Sequence, residues 1–366
     1  MNLVACIPNF SEGRSRVIID EIAAAASGVA QARLIHVDMS ADANRTVMTL
    51  VGTPAGISEA AFKAIAAATK LIDMTTHHGA HPRLGATDVC PLVPLGATSI
   101  ETCINLAQEL ADRIGGKLKI STYLYGRAAL RPDRMELTAV RKGQYEGLEE
   151  RLKNKTERPD FGPSRFNAKS GATAVGAREW LIAYNINLDS EDLAAARDIA
   201  KVVRSGTVGA TPGSGPRLPG CRAIGWLMPA YGCAQVSMNL VNFRLTPPHI
   251  AFEAVRAQAA GRGLALRGSE MVGMVPLAAM LAAGRHFRQA RGLIEDAPEK
   301  ELMAAAVDGL GLSAVRPFEP EQQVLEYRLR LEGGPWAEAA QKLLVGNVAA
   351  RPLLRRQNLE EDIGHH

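Results

Sequence analysis

Cysteine is sparse in this sequence, and long apolar runs are absent. The five cysteines (Cys6, Cys90, Cys103, Cys221 and Cys233) form no Cys-x-x-Cys pair, and such an odd, scattered set argues against a disulfide framework and a thiolate metal site. No apolar run approaches the ~20 residues of a membrane helix. The first residues, MNLVACIPNF, turn polar too soon for a signal peptide. We therefore expect a cytoplasmic protein with reduced thiols and no membrane partner.

Common nucleotide and hydrolase motifs are also missing. The sequence has no P-loop, no GxGxxG fingerprint and no GxSxG elbow. Its net charge of +4 comes from lysines and arginines that are dispersed rather than clustered. This distribution favours an anionic small molecule over a nucleic acid as the ligand.

The order of predicted elements indicates two similar α/β halves. A chain of 366 residues exceeds the size of a typical single core. Apolar periodicity predicts the order β-α-β-β-α-β twice, with strands at 3–8, 32–38, 45–52, 89–95, 180–188, 221–229, 234–243 and 270–275, and with helices at 15–26, 54–72, 190–205 and 248–262. Residues 154–176, rich in Pro, Gly, Ser and Lys, read as a long connection.

We therefore predict an α/β (α+β) fold of two subdomains. Their boundaries are residues 1–176 and 177–327, followed by a tail, 328–366, that is partly helical or disordered. Each subdomain has a mostly antiparallel, mixed sheet with helices on its outer face, as in split β-α-β folds. A ligand groove is expected where the two sheets face each other.

The segment LIDMTTHHGAHPRLGATDVCPLVP, residues 71–94, is the most informative part of the chain. It holds three of the eight histidines, His77, His78 and His81. Gly79 and Pro82 break any helix there, so His77 and His81 do not share a helical face and a metal site is disfavoured. A loop of this kind between regular elements is a common place for chemistry.

His81 is the candidate catalytic residue of this loop. It lies beside Pro82 and Arg83, with Asp88 seven residues on, and an imidazole near its usual pKa of about 6.5 can both take and give a proton at neutral pH. For a single histidine of the loop, a surface or capping role without chemistry is the more common one, and His81 is the exception that we select.

Three further polar residues lie where two predicted strands end and begin. Asp38 ends one strand, and Asn44 and Arg45 open the next after a short turn. They either line the same rim as His81 or serve ordinary turn chemistry, in which Asp and Asn are common. The sequence does not separate these alternatives.

Residues 160–172, DFGPSRFNAKSGA, offer cations and flat apolar rings together. Arg165 and Lys169 supply charge, and Phe161 and Phe166 supply surface. This mixture suits an aromatic ligand with an acidic tail, although an interdomain linker has a similar composition.

Taken together, several segments resemble glutamate formimidoyltransferase, the formiminotransferase domain family of histidine degradation. They run colinearly from Leu3 to about Tyr327 and include CIPNFSEGR, HVDMSADANRTVMTLVG, the loop 71–94, YLYGRAA, DFGPSRF, LIAYNINL, AIGW, AQVSMNL and GSEMVGMVP. The family's catalytic histidine lies in a motif HPR-x-GA-x-DVCP, which here begins at His81. The resemblance and the residue-level reasoning therefore select the same imidazole.

The resemblance implies a reaction, a co-substrate and an assembly. The reaction is transfer of the formimidoyl group from N-formimidoyl-L-glutamate to N5 of tetrahydrofolate, without a metal, in a homodimer. Asp38 is expected to orient or polarise His81, and Asn44 and Arg45 to bind substrate. The folate-contacting stretch carries over to Gly162, Pro163, Ser164, Arg165, Phe166, Asn167, Ala168, Lys169, Ser170 and Gly171. Its added cations, Arg165 and Lys169, suggest a polyglutamylated folate.

The chain departs from the family at a few points. His78 and Ala80 stand where Lys and Glu are common, and residues 208–219 are unusually rich in Gly and Pro. After Tyr327 too few residues remain for the cyclodeaminase domain of some members, and His365 and His366 could be remnants of a tag. The alternative functions are another one-carbon activity, on 5-formyltetrahydrofolate, or folate binding without turnover.

Overall fold

The computed structural model describes residues 2–204 and 217–349 and contains two β-sheets with helices around them. The first sheet has seven strands: β1 Leu3–Cys6, β2 Asn9–Phe10, β3 Ala32–Ser40, β4 Arg45–Gly52, β5 Thr87–Leu95, β6 Ser121–Gly126 and β7 Ala172–Ala177. β3 pairs with β4 at one edge, β1 and β2 lie between β4 and β5, and β7 and β6 complete the sheet. Only the β5–β7 and β7–β6 pairs are parallel.

The second sheet has four antiparallel strands in the order β11-β8-β10-β9. Their bounds are β8 Ile182–Leu188, β9 Cys221–Met228, β10 Cys233–Leu240 and β11 Leu266–Val272. With the helices α6 and α7 given below, the chain order is β8-α6-β9-β10-α7-β11, which confirms the predicted β-α-β-β-α-β order. The first sheet follows the same order with the short β2 added and then continues through β6 and β7.

Helices pack around both sheets, and on the first sheet they lie on both faces. They are α1 Arg16–Ser27, α2 Pro54–Leu71, α3 Ile100–Arg113, α4 Leu137–Val140, α5 Leu148–Lys153, α6 Leu193–Val203, α7 Pro248–Ala260, α8 Leu277–Ala290, α9 Glu299–Leu310, α10 Pro320–Gln323, α11 Leu325–Leu331 and α12 Gly334–Ala349. Ser15, Thr53 and Ser99 cap α1, α2 and α3 with their hydroxyl oxygens. Over the described residues, none of these helices is long and apolar enough to cross a membrane.

Strand alternation separates an apolar from a polar face in the second sheet. Tyr184 and Ile186 on β8 and Val236 on β10 belong to the core packed with α6 and α7. Asn187 and Gln235 project to the opposite face and are nevertheless fully buried. Their hydrogen-bond partners come from the second sheet itself, since Gln235 bonds Trp226, Asn187 and Glu270.

Contacts between the two sheets define the groove. The backbone N–H of Gly273, just after β11, donates to Asp38 on β3 at 2.8 Å, and Arg222 on β9 pairs with Glu136 at 2.9 Å. At one end, Leu3 and Val93 of the first sheet share a core with α11 and α12. The polar side of the second sheet therefore lies toward the first sheet, and a ligand groove between the two sheets stays a prediction.

The strand β7 differs from the sequence interpretation. β7, Ala172–Ala177, begins inside the segment 154–176, for which a connection is predicted, yet it occupies an interior position of the first sheet. Its sequence, ATAVGA, is mostly Ala and Gly, which are poor strand formers. Small residues are required at Gly176, since a Cβ there would lie 2.6 Å from the Tyr125 ring.

Other expectations concern the ends of the chain and the thiols. All five cysteines are buried and free, with Cys6 and Cys90 sulfurs 3.4 Å apart. Within the predicted tail, α12 confirms a helical part, whereas residues 350–366 lie outside the described residues. The same holds for most of the loop 208–219. The subdomain boundaries at 176 and 327 stay predictions.

Candidate active site

The loop that carries His81 is fastened to the turn between β3 and β4. Asn44 adopts a left-handed conformation (φ 46°); its side-chain amide donates to His78 O at 2.9 Å, and its oxygen accepts from Gly13 N at 3.0 Å. Gly79 is close to this turn, since a Cβ on it would lie 2.4 Å from Ala43 O. The Asn44 side chain and the close approach of Gly79 to Ala43 O therefore hold the loop in place. Position 79 has room only for glycine.

The His81 imidazole is oriented by its own backbone. Nδ1 lies 2.7 Å from Pro82 O, and because a carbonyl oxygen only accepts, Nδ1 carries the hydrogen in the neutral ring. Nε2 then holds the lone pair, and among the residues that the structure describes none hydrogen-bonds to it. The Trp226 ring of β9 faces the imidazole edge-on, with centroids 6.2 Å apart. His81 is thus a neutral base with one free nitrogen in the groove.

A buried charge cluster lies beside this imidazole. Asp88 on β5 is fully buried and accepts from Arg45 Nη1 at 2.6 Å, from Arg141 Nε at 3.2 Å and from Leu84 N at 2.9 Å. Burial by itself raises the pKa of Asp88, but Arg141 and Arg45 outweigh it and hold that pKa well below its usual range. The cluster contributes two positive charges and one negative charge to the groove.

The environment also lowers the pKa of His81. Burial is the largest cause, followed by the charges of Arg45 and Arg141, and Asp88 opposes them only in part. His81 is therefore neutral at physiological pH and competent to accept a proton. Of its two neighbours in the motif, Asp88 is in this cluster, whereas Arg83 turns away to bond Glu146 and His77.

The structure separates Asp38 from the His81 contacts. The Asp38 carboxylate accepts from Gly273 N at 2.8 Å and from Arg316 at 3.2 Å, and its partners include no atom of His81. Arg45 does lie near His81, but its guanidinium is bonded to Asp88 and to Asn9. Asn44 supports the loop rather than facing the groove. The catalytic role of Asp38 and the substrate-binding roles of Asn44 and Arg45 stay predictions.

Residues 162–171 contact the loop that carries His81. Gly171 pairs with Gly85, and Ser170 O accepts from Ala86 N at 2.9 Å, so this segment lies directly against the His81 motif. Phe166 stacks near Tyr145, with ring centroids 5.5 Å apart. The Arg165 side chain is exposed, whereas Lys169 Nζ donates to Lys70 O at 2.8 Å. Residues 162–171 therefore offer the exposed cation Arg165 and, with Tyr145, a pair of aromatic rings. Ser170 and Gly171 fix one end of the segment against the His81 motif.

Two residues near the imidazole were missed by the sequence interpretation. Arg141 follows α4 in a region of mixed helix and loop, and nothing in its surroundings in the sequence points to Asp88, 53 residues earlier. Trp226 was noticed only within the word AIGW. Aromatics make up 5% of the chain, so a tryptophan inside the predicted strand 221–229 was the available signal.

No metal centre is evident in the described part of the chain, 2–204 and 217–349. There, no group of three or more His, Cys, Asp or Glu side chains has an arrangement able to hold a metal ion. His77, the nearest histidine with a fixed ring, is engaged by Asn44 O at 2.9 Å and by Arg83 Nε at 3.2 Å.

Comparison with known proteins gives consistent matches along the chain. Residues 3–178 match the formiminotransferase domain, N-terminal subdomain, and residues 183–330 match the formiminotransferase domain. The chain is 41% identical to a glutamate formimidoyltransferase of Streptococcus pyogenes serotype M1, covering 78% of this chain and 93% of that protein. A glutamate formimidoyltransferase of Thermoplasma acidophilum is also 41% identical, with 81% and 95% covered.

Longer relatives match as well. A formimidoyltransferase-cyclodeaminase of Dictyostelium discoideum is 42% identical over 90% of this chain, which spans 60% of that protein's length. The match continues through both sheets and across the His81 loop. This chain belongs to the formiminotransferase domain family.

Proposed function

We propose that this protein transfers the formimidoyl group from N-formimidoyl-L-glutamate to N5 of tetrahydrofolate, releasing L-glutamate. The observation that carries the proposal is the His81 imidazole, which is neutral, is fixed through Nδ1 and has Nε2 free in the groove. The names of the relatives above support the same reaction class. Tetrahydrofolate is then a co-substrate, and no metal takes part.

In this mechanism His81 moves one proton in each direction. As the N5 nitrogen forms its bond to the formimidoyl carbon, His81 Nε2 takes the proton that N5 loses. The imidazolium then gives that proton to the glutamate nitrogen as its bond to the same carbon breaks, so the imidazole ends neutral. Such acid–base help is worth about 10²- to 10⁴-fold.

The charges around His81 suit this cycle. The two arginines stabilise the neutral ring between turnovers, which makes the imidazolium a strong acid for the departing nitrogen. The net positive charge of the Asp88, Arg45 and Arg141 cluster also attracts the carboxylates of glutamate. We propose that residues 162–171 contact the folate, because their Tyr145–Phe166 ring pair offers flat apolar surface beside the His81 motif.

The proposal is tested by glutamate release from N-formimidoyl-L-glutamate, with and without tetrahydrofolate. We expect folate-dependent release that falls at least about 100-fold in His81→Ala and is insensitive to a chelator. His78→Ala is the matched control, because this exposed side chain lies in the same loop and only its backbone carbonyl is used.

Other outcomes would contradict the assignment. Release without folate would point to hydrolysis, and an unaffected His81→Ala variant would remove His81 from the mechanism. Turnover of 5-formyltetrahydrofolate in place of the formimidoyl substrate would identify another one-carbon activity on this scaffold, and tight folate binding without any turnover would identify a binding protein. We also propose a cytoplasmic location and a homodimer. Sedimentation equilibrium of the full chain would test the homodimer.

A further inference from the structure

A continuous set of buried hydrogen bonds leads from the second sheet to the candidate catalytic histidine. The indole N–H of Trp226, whose ring faces His81, donates to Gln235 Oε1 at 2.7 Å. The Gln235 amide nitrogen donates in turn to Asn187 Oδ1 at 2.6 Å and to Glu270 Oε1 at 3.0 Å. Gln235 and Asn187 have no exposed surface. Each bond of Gln235 is therefore made inside the protein.

Glu270 determines which way the Gln235 amide points. Its carboxylate also accepts from Asn185 at 3.1 Å and from Tyr231 at 3.1 Å, and Arg316 Nε lies 3.5 Å away. Because a carboxylate only accepts, a flipped Gln235 would place oxygen against oxygen at Glu270 and donor against donor at Trp226. The amide therefore has one satisfied orientation, and that orientation presents an acceptor to the indole.

We propose that Gln235 is a positioning residue for formimidoyl transfer: it holds the Trp226 indole against His81, and Glu270 and Asn187 hold Gln235. The inference rests on the proposed function for its kinetic consequence. Its structural part, that the Trp226 ring is held in one orientation beside the imidazole, does not depend on which substrate binds. Gln235 itself has no contact with His81.

The Trp226 ring is important because the other groups near His81 are charged. Arg45 comes from β4, Arg141 from the segment after α4 and Asp88 from β5, and the second sheet contributes an aromatic ring instead of a charge. In this proposal the Trp226 ring, with its centroid 6.2 Å from that of the imidazole, limits the access of water from one side. If the indole is released, water enters, the ring loses a fixed neighbour and His81 becomes easier to protonate.

The test combines kinetics with a chemical probe of His81 in the full-length protein. Diethyl pyrocarbonate acylates neutral imidazole, and peptide mass spectrometry resolves the three histidines of the loop. In Gln235→Leu we expect the acylation rate of His81 to rise at least about fivefold and its pH midpoint to move upward, with exposed His78 unchanged as the internal reference. We expect kcat to fall about tenfold, the equivalent of one buried hydrogen bond, with KM within about twofold.

Two companion variants make the result decisive. Trp226→Phe keeps an aromatic ring at this half-buried position but removes the indole N–H together with its five-membered ring. It should show the same changes at about threefold, and the double variant should be no worse than Gln235→Leu alone. Gln323→Leu is the control, since Gln323 is also buried but bonds Glu319 N instead. If Gln235→Leu fails to fold, Trp226→Phe decides.

The outcomes distinguish this inference from the proposed function. Unchanged His81 reactivity and unchanged kcat in both groove variants would overturn the positioning role. A wild type that lacks transferase activity, but whose His81 reactivity still responds to Gln235→Leu, would overturn the proposed function and retain the positioning role.

Discussion

Replacing Asp88 with asparagine tests the charge cluster behind His81. The substitution keeps the size of the side chain and removes the carboxylate that bonds both Arg45 and Arg141. Two cations would then be left close together, one of them almost fully buried. Breaking a buried ion pair by removing one partner costs about 3–5 kcal/mol. We expect this loss in the free energy of unfolding, and a Tm lower by on the order of 5–10 °C.

The assay is urea and thermal unfolding of Asp88→Asn beside Asp133→Asn. Asp133 is the matched control, because it also bonds one arginine through both oxygens, at 3.0 and 2.8 Å, but at an exposed site. Exposed pairs contribute little. Equal stability of the two variants would refute the reasoning, since it would mean that the buried arginines do not need Asp88.

The pH dependence gives this prediction a second check. The pKa of Asp88 is lowered in the folded protein, so its stabilising contribution is fully present above the pKa of an unfolded aspartate, about 3.9, and is lost as pH falls through the folded value. The stability gap between wild type and Asp88→Asn should therefore be constant from about pH 5 to 8 and narrow only in strong acid. A gap that varies across neutral pH would contradict the assignment to Asp88.

Two more substitutions probe the loop and the C-terminal helices. Gly79→Ala adds a Cβ 2.4 Å from Ala43 O and should lower kcat at least about tenfold by displacing the His81 loop. Gly116→Ala is the control, because a Cβ there meets nothing within 4 Å and kcat should not change. Equal kcat values for the two variants would show that the loop adjusts to the added methyl group. Glu326 is buried and caps α8 through Leu277 N at 2.7 Å, and burial raises its pKa to about 6. Its contribution is fully present below the unfolded pKa of about 4.5 and lost as pH rises through about 6, on the order of 2 kcal/mol in all. The free energy of unfolding of Glu326→Gln should lack this change between about pH 4.5 and 6, whereas wild type and the exposed control Glu101→Gln should both show it. If Glu326→Gln has the same pH profile as wild type, the assignment to Glu326 is wrong.

The sequence predicted the fold well where side chains carry periodicity and poorly where they are small. Apolar alternation identified β8 because Ile182, Tyr184 and Ile186 point to one face and Asn185 and Asn187 to the other. In β7 all six residues are buried, and four of them are Ala or Gly: Ala172, Ala174, Gly176 and Ala177. Such small side chains on both faces leave no hydrophobic alternation to read.

The site was predictable only along the chain. His81 is identifiable because breakers fix its loop and Asp88 follows within the same motif. The partners that tune it come from distant segments: Arg141 from the region after α4 and Trp226 from the second sheet. Asp38 was expected to orient His81, but its side chain, on the edge strand β3, hydrogen-bonds Gly273 N and Arg316, so that role stays a prediction.

The core shared by the two sheets has a consequence for any attempt to divide the chain. Leu3 and Val93 from the first sheet pack in the same cluster as Leu325 and Trp336 from the last helices. Separation between β7 and β8 would therefore expose apolar surface on both fragments and leave Asp38 without Gly273 and Arg316. Neither half is built to persist alone, so the fragments should be recovered only when they are produced together, and a relative that gained or lost one half would have had to rebuild this seam.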